Sequence, residues 1–136
     1  MLRIIWGTLF IGGSIFNLSY TMFQPGLYQD IANLSLLPIY TDLIENYIVE
    51  NPIIFTSLLV VFEFLTGWLI LSKGVSVKFG LLASLIFTLS IIPAIVPYTY
   101  VNLLLAIIPL FLLRKKYTDS IWNLLKRKKH DLGKSA

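Results

Sequence analysis

The sequence predicts an all-α membrane protein: a bundle of four transmembrane helices with an amphipathic extracytoplasmic segment between the first two. Composition is the first reason. Of the 136 residues, 57% are hydrophobic and only 13% charged, against roughly 45–50% and 25% in soluble domains. The second is a set of four long apolar runs set apart by proline, glycine or charge. The third is where the charges fall. With four spans, all eleven basic residues (Arg3, Lys73, Lys78, Arg114 to Lys116, Lys126 to Lys129 and Lys134) lie on one side. The long interval between the first two runs carries Asp30, Asp42, Glu45 and Glu50 and no base. The positive-inside rule then puts both termini in the cytoplasm, with the plasma membrane as the expected location. Three or five spans would scatter the basic residues.

The first run reaches from Ile4 to about Phe23, behind a single Arg3. It exceeds the ~7–15-residue apolar stretch of a signal peptide, and no small-residue cleavage site follows, so a retained helix is expected. Gly12 and Gly13 suit a membrane helix with a close neighbour. Pro25-Gly26 ends the run. In the outer segment, residues 24–51, apolar residues recur at helical spacing as Leu27, Ile31 and Leu34, then as Leu43, Tyr47 and Ile48. Pro38 divides the two pieces. Two short amphipathic helices at the interface, or folded over the mouth of the bundle, are expected; the alternative is a solvated loop.

The second span, residues 52–71, opens on Pro52, whose missing N–H does no harm in a first turn. Residues 72–78 form a short positive connection. The third span, 79–96, contains Pro93. The fourth, about 99–113, contains Pro109 and at ~1.5 Å per residue is only about 22 Å long. Residues 1–113 thus form the transmembrane domain and 114–136 a basic cytoplasmic tail. In that tail Ile121, Trp122, Leu124 and Leu125 precede Lys126, Arg127, Lys128 and Lys129. This is the composition of an interfacial helix on anionic headgroups. The apolar patch favours lipid over nucleic acid as the tail's partner, and deleting 117–136 is expected to leave the bundle intact.

The chain has no cysteine, which excludes thiol chemistry and Cys-ligated metals. Its one histidine, His130, sits in the basic tail, so no metal site is expected. Glu63 is the outlier, an acid in the middle of the second span. A charge at that depth costs a few kcal/mol or more and must face protein or water. Thr56, Glu63, Thr66 and Gly67 share one face of that helix by three-, four- and seven-residue steps. Ser14, Asn17 and Thr21 make the matching face of the first span, Gly80, Ser84 and Thr88 of the third, and Asn102, Ala106 and Pro109 of the fourth. Small residues in such series allow helices to approach closely. Glu63 is expected to bond Ser14, Asn17 or Thr88, within a candidate ligand-binding seam of Glu63, Asn17, Ser14, Thr66, Thr88 and Asn102. Two readings of Glu63 stay open, a polar staple between helices and a proton or ligand site. No catalytic residue is assigned, since acid–base chemistry generally needs a second group. Trp6, Trp68, Tyr98 and Tyr100 are expected in the aromatic belts.

This order of features resembles the DoxX-like family of small four-helix membrane proteins, over about residues 3 to 113. The resemblance rests on the glycine-rich GTLFIGGSIFNLSY and on the Pro-x-x-Tyr step ending at Tyr28. It rests also on the E-x-x-x-G pattern of FEFLTGWLIL, Glu63 to Gly67, and on Pro93-Ala94. Leu18 follows Asn17 where many members carry histidine, and Ile95 follows Pro93-Ala94 where members often carry asparagine. The resemblance implies a plasma-membrane bundle with a quinone- or lipid-sized pocket. Three functions follow: a non-enzymatic accessory that binds lipid, a quinone-like molecule or a partner protein; a membrane subunit of a quinone-linked oxidoreductase, with Glu63 accepting a proton; or an oligomeric small-solute transporter or channel. The bilayer, a membrane-protein partner and a second copy of the chain are the expected partners, and nucleic acid is not.

Overall fold

The computed structural model describes residues 1–24 and 26–119. Among these the chain is all-helical, with no strand. Helix α1 spans Leu2–Ser19 and runs on through a single 3-10 turn, Thr21–Phe23. The longest helix, α4, spans Pro52–Leu71, with its proline in the first turn. Leu2–Phe23 and Pro52–Leu71, 22 and 20 residues, are long and apolar enough to cross a membrane. Helices α5, Val75–Ile91, and α6, Thr99–Leu113, are apolar and shorter, at 17 and 15 residues.

Helix α5 starts earlier and stops sooner than the 79–96 expected. Gly74 has φ of 62°, a left-handed conformation glycine adopts without steric cost. That one residue reverses the chain, so the connection shrinks to residues 72–74 and Lys78 falls on the first turn of α5. At the other end Pro93 has no N–H to donate to the helical ladder. The chain turns at residues 92–94 and passes through a 3-10 turn, Val96–Tyr98, into α6.

Helix α1 lies along α4, α4 along α5 and α5 along α6, whereas α1 and α6 meet only sparingly. The α1–α4 crossing is close because both helices lack a side chain there. A Cβ on Gly67 would sit 2.7 Å from the Gly7 carbonyl oxygen and 2.7 Å from Ile11 Cγ1, nearer than atoms pack. Trp6, Phe10, Ile70, Val77, Leu81 and Leu112 form a core at one end of the helices. Phe87 continues it in edge-on contact with Phe10, centroids 6.0 Å apart, and lies 5.3 Å from Phe62. Outward, all four long helices present large apolar side chains, among them Ile15, Leu58, Leu82 and Leu104. Inward lie Ser14, Thr56, Glu63, Thr66, Ser84 and Thr88. Large apolar side chains thus cover the outside, while polar ones lie among the buried residues.

Between α1 and α4 the chain forms a cap. Helix α2 is Leu27–Asn33, and α3, Pro38–Leu43, runs into a π-helical stretch, Ile44–Val49. Tyr28, Ala32, Ile44 and Ile48 pack together against Phe55 at the start of α4. The two short helices are as expected, and Ile31 and Ile48 pack inward as the spacing predicts, but Leu34, Leu43 and Tyr47 are exposed, with Tyr28, Ala32 and Ile44 buried instead. The π-helical stretch adds residues to the turn and brings Ile44 onto the inward face beside Ile48. In α2 the Tyr28 hydroxyl is drawn inward by a 2.7 Å hydrogen bond with Thr56 Oγ1. The Leu36 N–H donates to the Pro93 carbonyl at 2.8 Å, tying the cap to the α5–α6 turn.

At the opposite end a clasp joins three distant parts of the chain. Arg3 is buried, donates from Nη2 to the Asp119 carbonyl at 3.3 Å and lies 4.9 Å from the centre of the Tyr117 ring. The Tyr117 hydroxyl donates to the Leu112 carbonyl at 2.6 Å, and the Gly74 N–H to the Tyr117 carbonyl at 2.7 Å. Burial pushes the Tyr117 phenol above its usual range, against the pull of the Arg3 guanidinium. Residues 117–119 therefore pack on the helices, where the tail was expected to dock on lipid alone. The lipid-binding residues expected in the tail, Trp122 and Lys126, Arg127, Lys128 and Lys129, lie outside the described residues, as does Pro25.

Candidate functional site

Glu63 is the twelfth of the twenty residues of α4 and is 8% exposed. Thr56, Thr66 and Gly67, the residues that share its face, are buried with it. Asn17 of α1 donates from Nδ2 to Glu63 Oε2 at 2.7 Å. One turn further along, Thr21 Oγ1 donates to Asn17 Oδ1 at 2.8 Å. That second bond fixes the amide: its oxygen is taken, so its nitrogen faces the carboxylate. Gly13 leaves the space for Oε1, since a Cβ there would stand 3.1 Å from it. No hydrogen bond to Oε1 occurs among the described residues.

Of the three partners expected for Glu63, only Asn17 makes the bond. Ser14 Oγ donates to the Ile11 carbonyl at 2.7 Å and Thr88 Oγ1 to the Ser84 carbonyl at 2.8 Å. A short hydroxyl reaches a carbonyl one turn back on its own helix, and that local bond competes with any across the seam. Thr66 is buried beside Glu63 on α4. Asn102, partly buried on α6, has no side-chain hydrogen bond among the described residues.

Glu63 borders a hollow of about 240 Å³. Trp6 and Phe10 of α1, Phe87 and Thr88 of α5 and Asn102 of α6 supply most of the wall. This is the side on which α1 and α6 meet sparingly, so the hollow opens between them. Trp6 lies at its edge and is not a belt residue: it is 3% exposed, and its Nε1 donates to Ser84 Oγ at 3.0 Å. A buried indole N–H requires an acceptor, and Ser84 on the small face of α5 provides it. Ser84 was identifiable from its spacing; its pairing with Trp6 was not. Trp68, Tyr98 and Tyr100 are exposed.

A second hollow, of about 310 Å³, lies under the cap, walled by Tyr28, Ile44, Ile48, Phe55, Phe87 and Ile91 among others and almost free of polar surface. Phe87 and Ile91 also line the Glu63 hollow. A third, of about 270 Å³, sits at the clasp beside Arg3, Lys115 and Lys116. Burial pushes the Tyr28 phenol above its usual range, and the hydrogen bond with Thr56 opposes this only in part. Among the described residues no group of three or more His, Cys, Asp or Glu side chains could hold a metal ion. The chain matches no family model, no curated protein and no solved structure.

Proposed function

We propose that the chain is a four-span plasma-membrane bundle of the DoxX-like kind, with both termini in the cytoplasm, that holds a lipid-like molecule between its helices without transforming it. The apolar side chains facing outward on all four long helices support four spans, because only lipid favours such a surface over so much of a small protein. The short α6 then takes the ends of its crossing from the Val96–Tyr98 turn and from Arg114 to Lys116. The distribution of basic residues supports the orientation.

One observation carries the binding role. A buried carboxyl, held through a single oxygen by Asn17, borders a hollow shared with Thr88 and Asn102. A staple alone would close its polar groups on one another. Here an acid and an amide border open space, as in sites where a few polar groups orient a mostly apolar ligand. The opening between α1 and α6 gives access from the bilayer.

The same observations favour binding over transport. Between Glu63 and the clasp, Ile70, Val77, Leu81 and Leu112 are almost wholly buried, and the polar residues among them, Thr66 and Ser84, are buried too. A solute passing Glu63 would meet closed packing.

Native mass spectrometry of the gently solubilised protein, wild type beside Glu63→Gln, tests the proposal. A discrete added mass on the wild type, weakened in the variant, is expected. Bare protein in both removes the ligand and leaves Glu63 as a staple in a partner-binding subunit.

A further inference from the structure

The hollow under the cap takes no part in the argument above, yet it shares two walls with the Glu63 hollow. Phe87 and Ile91 line both, so two side chains of α5 are a wall common to the two. The Phe87 ring contacts both Phe10 and Phe62. The hollows differ in chemistry. The inner one offers a carboxyl, an amide and a hydroxyl at Glu63, Asn102 and Thr88; the outer is walled almost wholly by carbon. Each alone, at about 240 and 310 Å³, is at or below the lower end of ligand sites, which run from about 300 to 1,000 Å³. Taken as one, they lie within that range.

We infer that the two hollows are the halves of one site, and that its occupant is an uncharged single-chain amphiphile with a hydroxyl or amide head at Glu63 and its alkyl chain under the cap. This rests on the reading of the Glu63 hollow as a ligand site. The polarity of the walls sets the orientation: tail toward the cap, head near the middle of α4. An ordinary phospholipid is oriented the other way, with its charged head at the water surface. A charged head at the depth of Glu63 would bear the same cost as any charge there, and the basic residues lie at the far end of the helices. A small neutral head avoids the cost and meets the polar groups that Glu63, Thr88 and Asn102 bring to the wall of the inner hollow. The roof is fastened by the Tyr28–Thr56 and Leu36–Pro93 hydrogen bonds, so the chain would lie in a fixed slot.

Tryptophan quenching by brominated alcohols tests this in detergent. Trp68→Phe with Trp122→Phe leaves Trp6 as the inner reporter, and Phe55→Trp adds an outer one. The probes are a medium-chain primary alcohol brominated beside its hydroxyl and its isomer brominated at the chain end. Saturable quenching of Trp6 by the first, and of the added reporter by the second, is expected. Ala94→Phe, which narrows the outer hollow at a residue away from the Trp6 wall, should abolish saturable quenching of Trp6 by the medium-chain alcohol and spare that by a short homologue. Saturable quenching of Trp6 with a silent outer reporter and no effect of Ala94→Phe would overturn the two-part site and leave the ligand reading standing. Non-saturating quenching of Trp6, no different from that of Trp68 in the parent protein, would end both. Tighter binding of the matching alkylamine would overturn the neutral head.

Discussion

Around Glu63 the buried side chains are small and polar, and helices α1 and α4 approach until backbone meets backbone at Gly7 and Gly67. Around Phe55, in the cap, they are large and apolar, and the helices are too short to cross anything. The difference follows from the solvent each region displaces. Lipid is as apolar as leucine, so burying leucine between membrane helices gains little, and close packing with hydrogen bonds must hold them. With the long helices across a bilayer, as proposed, the cap stands at its edge, where burying Ile44 and Ile48 still removes apolar surface from water. One chain thus uses two sources of cohesion within about one helix length.

The comparison can be broken most easily in the cap. Ile44→Ala should cost about 2–5 kcal/mol of local stability, read as faster hydrogen exchange across residues 27–49. The thermal midpoint of the long helices should hardly move; a large shift would mean that cap and helices unfold as one unit. Next comes the crossing. Gly67→Ala forces a methyl against Gly7 and should lower stability by about 1–3 kcal/mol, measured by thermal melting in detergent. Gly12→Ala, with nothing within 4 Å of its Cβ position, should be neutral, and equal effects would refute the close-packed seam. A smaller loss, about 0.6 and at most ~1.7 kcal/mol, is expected for Asn17→Ala, in line with hydrogen bonds between membrane helices. Glu63→Gln should keep the fold, and a loss of protein from the membrane would contradict that.

The smallest effect is one of pH. The Tyr28 phenol is held above its usual value of about 10 by burial. Above that pH the unfolded chain loses the proton while the native state retains it, so stability falls as pH rises toward the native value. Tyr28→Phe should melt with a shallower alkaline decline; an identical decline would assign the loss to other groups.

The long helices were legible because apolar runs, prolines and the segregation of Lys and Arg each constrain them independently. The buried face of α4 was legible from four residues at helical spacing. What escaped was what depends on two helices at once. Gly7 is unremarkable until Gly67 arrives opposite it, and Trp6 resembles any belt aromatic until Ser84 offers an acceptor. Ser14, Asn17 and Thr88 were equal candidates for Glu63, and only the self-bonding of the two hydroxyls separates them. In the cap the π-helical stretch shifted the periodicity, a change that no count of apolar residues registers. The Arg3 contact to Asp119 spans 116 positions, beyond any local pattern.

That contact also bears on how the protein is made. A ribosome delivers residue 3 a full 116 positions before residue 119, so α1 passes through much of synthesis with a guanidinium whose carbonyl partner does not yet exist. Only when residues 117–119 have emerged does Arg3 gain its carbonyl and its ring contact, so a chain cut before residue 117 lacks both.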